Sequence, residues 1–176
     1  PSLWEPGSLS GEFYIRRICP GCNDSHKDIV YKRLTTLPEG FDVENLFIGT
    51  WSSTNNELNT DFELYSSMSY GMAGILSWNF CNYDDRDIGF PRDCGPSRGA
   101  PHQWTSLTRG GRQPDYAYYV WEGNLNGNPA PAPGNIPADV DELTEWQQVF
   151  GMGTEENTLA DPSLWEPGSL SGEFYI

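Results

Sequence analysis

A perfect internal repeat constrains this chain more than any other feature of its sequence. Residues 1–15 and residues 162–176 both read PSLWEPGSLSGEFYI, so the repeat period is 162 − 1 = 161 residues. Self-similarity at a fixed period is typical of tandem arrays, in which each period is one structural unit. An artificial duplication of one end, or a circularly permuted design, would leave the same pattern. We favour a natural array in which residues 162–176 begin the next unit.

The repeated segment has the alternation of a half-buried strand. In its first copy, Leu9, Gly11, Phe13 and Ile15 fall on one face of an extended chain. A strand with an unpaired edge can pair with another chain, and a head-to-tail contact that does not close generates a filament. We therefore expect the second copy to supply an inter-unit strand, formed by Gly172, Glu173, Phe174, Tyr175 and Ile176.

The chain is strongly acidic, with a formal net charge of −15 at pH 7. The second copy contributes Glu166 and Glu173 and no Lys or Arg, so one period carries −15 + 2 = −13. Such a unit repels nucleic acid and anionic membranes, whose binding needs clustered Lys or Arg. No stretch approaches the ~20 apolar residues that span a membrane. The expected partners are other copies of the unit and glycans.

Short strand-like runs separated by turn residues predict an all-β fold. Gly, Pro, Asn and Ser lie between runs that are rich in aromatic and β-branched residues. Seven such runs within residues 1–122 favour a β-sandwich of the jelly-roll or lectin-like type. The predicted strands are Gly11–Ile18, Asp28–Leu34, Asn45–Trp51, Asp61–Ser66, Leu76–Cys81, Trp104–Thr108 and Asp115–Trp121.

The composition changes after residue 122. Residues 123–137, GNLNGNPAPAPGNIP, predict a stiff Pro/Gly-rich linker. Residues 138–161 predict a short amphipathic helix and a connector, because apolar residues recur near helical spacing ahead of Gly151. These residues are Val140, Leu143, Trp146, Val149 and Phe150. The predicted organisation is a disulfide-bearing domain over 1–122, the linker, the helix with its connector, and the next repeat from 162.

Four cysteines, an even number, predict two disulfides. Four cysteines allow three pairings, and the sequence does not choose among them. We favour Cys19–Cys22 and Cys81–Cys94, because both are local closures. A CPGC redox site would be expected in a strand–helix context, and a zinc site would need a second close Cys or His pair. Structural disulfides in an oxidising, extracellular or cell-surface setting are the better interpretation.

The loop between the last two cysteines is a candidate calcium site. It concentrates hard oxygen ligands of the kind that Ca²⁺ requires, on a loop whose ends are tied. The spacing differs from that of an EF-hand, and Arg86 and Arg92 could instead neutralise two of the acids in internal ion pairs. The candidate ligands are Asp84, Asp85, Asp87 and Asp93.

Two features point to carbohydrate. Asn23-Asp24-Ser25 is an N-glycosylation sequon, which makes Asn23 a candidate attachment site. Trp51, Trp104 and Trp121 could stack on sugar rings, although filling of the core is the alternative in a chain with 14% aromatic residues.

Catalytic motifs are missing from the sequence. It contains no GxSxG, HExxH, Walker or dinucleotide-binding pattern. His26 and His102 lie far from any nucleophile pattern. We therefore expect a non-enzyme without catalytic residues.

The central part of the chain resembles repeat modules of large secreted proteins from microalgae and related protists. The resemblance runs from CPGCNDSHKDIVYKRLT through FDVENLFIGTWSSTNNELNTDFELYSS to WNFCNYDDRDIGFPRDCGP, over residues 16–121. It implies an extracellular, repeated context and identifies no functional residue. With the repeat, it leads us to expect a structural subunit of an extracellular filament or adhesive matrix fibre. A repeated, calcium-dependent carbohydrate-binding module is the alternative.

Overall fold

The fold is all-β and is built on one five-stranded antiparallel sheet. In the computed structural model, residues 13–110, 113–121 and 146–152 are described, the last range by its backbone alone. The strands lie in the order β3-β2-β1-β4-β5, so the strand that begins at the end of the repeated segment is the central one. Their bounds are β1 Tyr14–Ile18, β2 Asp28–Arg33, β3 Phe62–Tyr65, β4 Tyr116–Trp121 and β5 Trp146–Met152.

Four of the predicted strands are confirmed, namely those that became β1, β2, β3 and β4. Buried side chains in these strands alternate between the two faces of the sheet, because successive side chains of a strand point to opposite faces. Ile15 pairs with Tyr31 on one side and Val120 on the other, and all three join the larger of two buried clusters. Tyr14 and Val30 belong to the second cluster, on the opposite face.

The larger cluster is covered by loops. Segments between β2 and β4 place aromatic rings over the sheet: Trp51 and Phe90 lie 4.8 Å apart, and the Phe47 ring lies 5.2 Å from the Tyr31 ring of β2. Within the described ranges there is one sheet, and the layer over this face is made of loops and short turns.

Three predicted strands are wrong. Residues Asn45–Gly49 form a π-helical turn, in which the Thr50 amide donates to the Asn45 carbonyl. Leu76–Cys81 makes only an isolated bridge between Phe80 and Gly95. Trp104–Thr108 is irregular, since the Thr105 amide donates to Phe90 in the neighbouring loop. These apolar runs are buried by loop packing, which produces the same local pattern as a buried strand.

The short helix predicted within residues 138–161 is wrong where the structure describes it, because residues 146–152 form β5. Tyr118 pairs with Phe150 and Tyr119 with Gln148, which leaves Val149 as an extra residue in a β-bulge. An inserted residue breaks the two-residue alternation of a strand. The apolar positions Trp146, Val149 and Phe150 therefore have the spacing of a helix face. The linker 123–137, the first part of the predicted helix, its connector and the second copy 162–176 lie outside the described residues.

One short helix, α1 Met68–Ala73, was not predicted. Ser67 caps its first turn by accepting from the Tyr70 amide at 3.3 Å, and Gly74 ends it in the left-handed conformation. Met68 and Met72 pack on the face of Tyr14 and Val30. Gly71 allows close packing here, since a Cβ at this position would lie 3.3 Å from the Tyr65 ring.

Candidate functional site

The end of the first repeat copy lies in the core of the sheet. Phe13, Tyr14 and Ile15 are at most 2% exposed. The Phe13 carbonyl accepts from the Arg33 amide at 2.9 Å, and the Tyr14 ring meets Trp121 edge-on. These three residues recur at the end of the second copy as Phe174, Tyr175 and Ile176. The predicted inter-unit strand 172–176 itself lies outside the described residues.

Both favoured disulfides are present, Cys19–Cys22 and Cys81–Cys94. The first closes a turn directly after β1, in which the Cys22 amide donates to the Cys19 carbonyl at 3.1 Å. The second closes the acidic loop. Two disulfides favour an oxidising compartment.

Arg17 is the most unusual residue beside the first disulfide. It is fully buried, and its Nη1 lies 3.6 Å from Cys22 Sγ. Its guanidinium also lies 5.7 Å from the centre of the Tyr116 ring. Nε and Nη2 are buried without a hydrogen-bond partner, and no carboxylate of the described chain forms an ion pair with Arg17.

Burial sets the electrostatics around Arg17. It lowers the pKa of Arg17, and Tyr118 and Tyr116 partly oppose this effect. Burial also raises the pKa of Tyr118, which Arg17 opposes in turn. A guanidinium starts from so high a pKa that it stays protonated in proteins. The structure therefore holds a buried positive charge whose immediate neighbours are aromatic rings and a disulfide.

His26 connects the two disulfide-closed segments. Its ring lies between the Ser25 hydroxyl and the Cys94 carbonyl, at 2.8 Å from each, and it packs on Trp78. Burial is the main cause that lowers the pKa of His26, and the positive charge of Arg17 adds to it. His26 is thus a buried neutral residue with a positional role.

Sequence reasoning missed Arg17 and this role of His26. A signal for Arg17 was present, since two adjacent arginines interrupt the apolar run YIRRIC immediately before the CPGC motif. The contact of His26 with Cys94 spans 68 residues and left no signal in the local pattern.

The four candidate calcium ligands do not converge. Asp84 accepts from the hydroxyls of Ser52 and Ser53, at 2.9 and 2.6 Å. The hydrogen bond from Ser53 is the main cause that lowers the pKa of Asp84. In the part of the chain that the structure describes, no group of three or more His, Cys, Asp or Glu side chains could hold a metal ion.

The other three aspartates lie beside arginines of the same loop. Arg92 contacts Asp85 and Asp93, each at 2.5 Å, and Arg86 lies 3.5 Å from Asp87. These contacts match the alternative that the sequence left open, in which Arg86 and Arg92 neutralise acids of the loop.

The carbohydrate candidates differ in their accessibility. Asn23 is exposed and precedes a 3-10 turn, Asp24–His26, so the sequon is accessible at the surface. Trp51, Trp104 and Trp121 are at most 6% exposed and fill the core, which removes them as a stacking platform. The exposed large apolar side chains among the described residues are Tyr70, Ile75, Leu76, Phe80 and Leu107.

Comparison of the chain with protein-family models, with curated proteins and with solved structures finds no match. Among the described residues, no helix is both long and apolar enough to cross a membrane.

Proposed function

We propose that this chain contains a repeating unit of an extracellular structural protein, whose units join head to tail into a surface filament or adhesive matrix fibre. The repeat at a period of 161 residues carries this proposal. Its support from the fold is that the first copy ends in three core residues, Phe13, Tyr14 and Ile15. A segment that begins the central strand of one unit is repeated where a following unit would need it.

The identity of the two copies allows exchange between molecules. Each contact that Phe13, Tyr14 and Ile15 make in their own unit can be made by Phe174, Tyr175 and Ile176 from a neighbour. Exchange of identical elements replaces equivalent contacts and is a low-cost route to assembly. Repeated exchange in one direction generates a linear chain of units.

Strand addition at β3 is opposed by the structure of that edge. The Leu64 carbonyl accepts from the Trp78 amide at 2.8 Å, and the Phe62 carbonyl accepts from the Asn59 amide at 2.7 Å. Covered edges do not recruit further strands. The proposed inter-unit contact is at the place of the first repeat copy, between β2 and β4, rather than at the β3 edge.

The acidity of the unit suits an extended assembly. One period carries a net charge of −13, because the chain has −15 and the second copy contributes two glutamates. Like charges on successive units repel, which keeps an array hydrated and disfavours lateral clumping. A glycan on exposed Asn23 would act in the same direction.

We further propose that the unit is completed as a β-sandwich of the jelly-roll or lectin-like type. The sheet buries apolar side chains on both faces, among them Val30 and Tyr119 on the face of α1. A second sheet packed beside α1 over this face would complete a sandwich. An experimental structure of two consecutive units tests this point, and a single sheet in each unit would contradict it.

Terminal deletions test the assembly. Deletion of residues 162–176 should leave a folded monomer, whereas deletion of residues 1–15 should yield linear polymers, since each unit then accepts the second copy of another. Removal of both copies should prevent folding. Sedimentation velocity and negative-stain electron microscopy measure these states.

Matched substitutions provide the control. Ile176→Asp in the protein that lacks residues 1–15 should abolish the polymers. The same change in the first copy, Ile15→Asp, should make the full chain polymerise, because Ile15 is 1% exposed and the intact second copy of another molecule can replace the damaged segment. A folded monomer after deletion of residues 1–15 would contradict the proposal, because the second copy would then complete its own unit.

A further inference from the structure

We propose that Cys19–Cys22 is a redox-active disulfide, whose reduced form is stabilised by pairing of a Cys22 thiolate with the Arg17 guanidinium. This proposal concerns chemistry within one unit and does not depend on the assembly of units.

The position of Arg17 is the first support. Its Nη1 lies 3.6 Å from Cys22 Sγ, within the range of a hydrogen bond to sulfur. A disulfide sulfur is neutral and a weak acceptor, whereas a thiolate is a full negative charge. The same contact therefore becomes much more favourable when the disulfide is reduced.

The lack of another counter-ion is the second support. Arg17 is fully buried, and two of its three guanidinium nitrogens have no hydrogen-bond partner among the described residues. A buried charge without a partner is costly. In contrast, the buried Arg16 in the same strand pairs with Asp28 at 2.7 Å. Among the described groups that contact Arg17, the cysteine sulfur alone can acquire a negative charge near neutral pH.

One neighbour opposes the thiolate. The Gln103 carbonyl oxygen lies 3.9 Å from Cys22 Sγ and would repel a negative sulfur. The guanidinium is closer and carries a full charge, whereas the carbonyl carries a partial one. Attraction by Arg17 therefore outweighs repulsion by the carbonyl.

The other disulfide has a different environment. Arg92 is the cation near Cys94 in sequence, but it already contacts Asp85 and Asp93. A cation neutralised by two carboxylates gives little stabilisation to a thiolate. Cys81–Cys94 therefore serves as an internal reference within the same molecule.

The reaction is thiol–disulfide exchange with a low-molecular-weight thiol. The thiolate of the first reductant molecule attacks Cys19 Sγ, the sulfur–sulfur bond breaks, and the electron pair leaves on Cys22 Sγ beside Arg17. A second reductant thiolate attacks the mixed disulfide at the reductant sulfur and releases Cys19, which takes up a proton. Two reductant thiols become one disulfide, and the protein gains two electrons. Cys19 is fully buried, so the CPGC turn must open for the first attack.

Equilibration in glutathione buffers at pH 7, followed by alkylation and peptide mass spectrometry, tests the proposal on the full chain. Thiols beside a cation have pKa values lowered to about 6, which at pH 7 favours reduction about tenfold over an ordinary thiol. Arg17→Met should therefore lower the equilibrium constant for reduction of Cys19–Cys22 about tenfold. Arg17→Lys, which keeps the charge, should lower it much less, and the constant for Cys81–Cys94 should be unchanged in both variants.

An unchanged equilibrium constant for reduction of Cys19–Cys22 in Arg17→Met would overturn the proposal. Equal changes in the constants of both disulfides would also overturn it. If Arg17→Met does not fold, the pairing of Cys22 with Arg17 is tested on the reduced wild-type protein instead. The pH dependence of iodoacetamide alkylation at Cys22 should give a midpoint at least one unit below the ~8.5 of an ordinary thiol. A higher midpoint, or unfolding of the reduced protein, would refute the pairing of Cys22 with Arg17.

Discussion

The Nε2 atom of His26 lies 2.8 Å from the carbonyl oxygen of Cys94, across 68 residues of sequence. Because a carbonyl only accepts, Nε2 carries the proton, and Nδ1 accepts from the Ser25 hydroxyl at 2.8 Å. This neutral tautomer joins the turn after β1 to the end of the acidic loop. The contact makes the packing of two distant segments depend on one titratable side chain.

Stability should therefore fall as the pH is lowered from about 7.5 to about 5.5. Burial lowers the pKa of His26 in the folded state, so the unfolded chain takes up a proton first as the pH falls through about 6.5. The loss from one such group is at most about 1.4 kcal/mol per pH unit. Urea unfolding at a series of pH values measures it.

Substitution of each histidine separates this effect from other titrations. His26→Gln should reduce the pH dependence between 7.5 and 5.5, whereas His102→Gln should leave it intact because His102 is exposed. An unchanged pH dependence in His26→Gln would show that other groups cause it.

The ion pair between Arg16 and Asp28 should contribute measurably to stability. Asp28 accepts from Arg16 Nε and Nη2 at 2.9 and 2.7 Å, and the side chain of Arg16 is 5% exposed. Asp28→Ala leaves this buried cation without the carboxylate, and we expect a loss of about 2–3 kcal/mol in the free energy of unfolding.

The exposed ion pair between Asp24 and Lys27 provides the matched control for Asp28→Ala. Chemical denaturation measures the free energy of unfolding of both variants. These side chains are 2.7 Å apart and largely in solvent. Asp24→Ala should have no detectable effect, since solvent screens exposed pairs. Equal losses in Asp24→Ala and Asp28→Ala would contradict the role of burial.

Replacement of Gly89 by alanine should destabilise the loop layer. A Cβ at Gly89 would lie 2.3 Å from the Phe47 carbonyl oxygen, so the backbone of one loop must move. We expect a loss of about 3 kcal/mol, as for overpacked cores. Gly110→Ala is the control, since a Cβ there meets nothing within 4 Å. Thermal unfolding compares the two variants, and a tolerated Gly89→Ala would refute this packing.

Removal of the longer disulfide should weaken the fold, because the loop that it closes contributes core residues such as Phe90. Cys81–Cys94 closes a separation of 13 residues, which corresponds to about 3 kcal/mol in the chain-entropy description. The paired substitution Cys81→Ala and Cys94→Ala should lose about this amount in urea unfolding. A loss below about 1 kcal/mol would contradict this expectation. It would indicate that residues 81–94 keep residual structure in the unfolded chain even without the cross-link.

The sequence predicted the features that depend on neighbours along the chain. The placement of Phe13 and Ile15 on one face of a strand and the local closure of Cys19 with Cys22 are both contained within a few residues, and both were confirmed. Helix α1 also had local signals that went unused, namely Ser67 before it and Gly74 after it. Gly71 within the helix obscured them, because glycine is unfavourable in a helix interior.

Features that depend on distant partners were not predictable in this way. The run around Phe47 could become a strand or a turn, and hydrogen bonds to the 88–90 loop decided the result. The strand β5 was hidden by its bulge opposite β4. In both cases the apolar pattern reports burial, while the partner determines the backbone conformation.

By itself the sequence determined the repeat, the acidity, the even number of cysteines and most strands of the sheet, because each is a property of composition or of short-range spacing. Only the tertiary structure decided that Arg17 lies against Cys22 in the core while Arg16, its neighbour, pairs with Asp28 on the opposite face. Adjacent residues of a strand point to opposite faces, and what each face meets depends on the register and on the loops packed over it. The different roles of Arg16 and Arg17 therefore come from the residues that each guanidinium contacts in the folded chain.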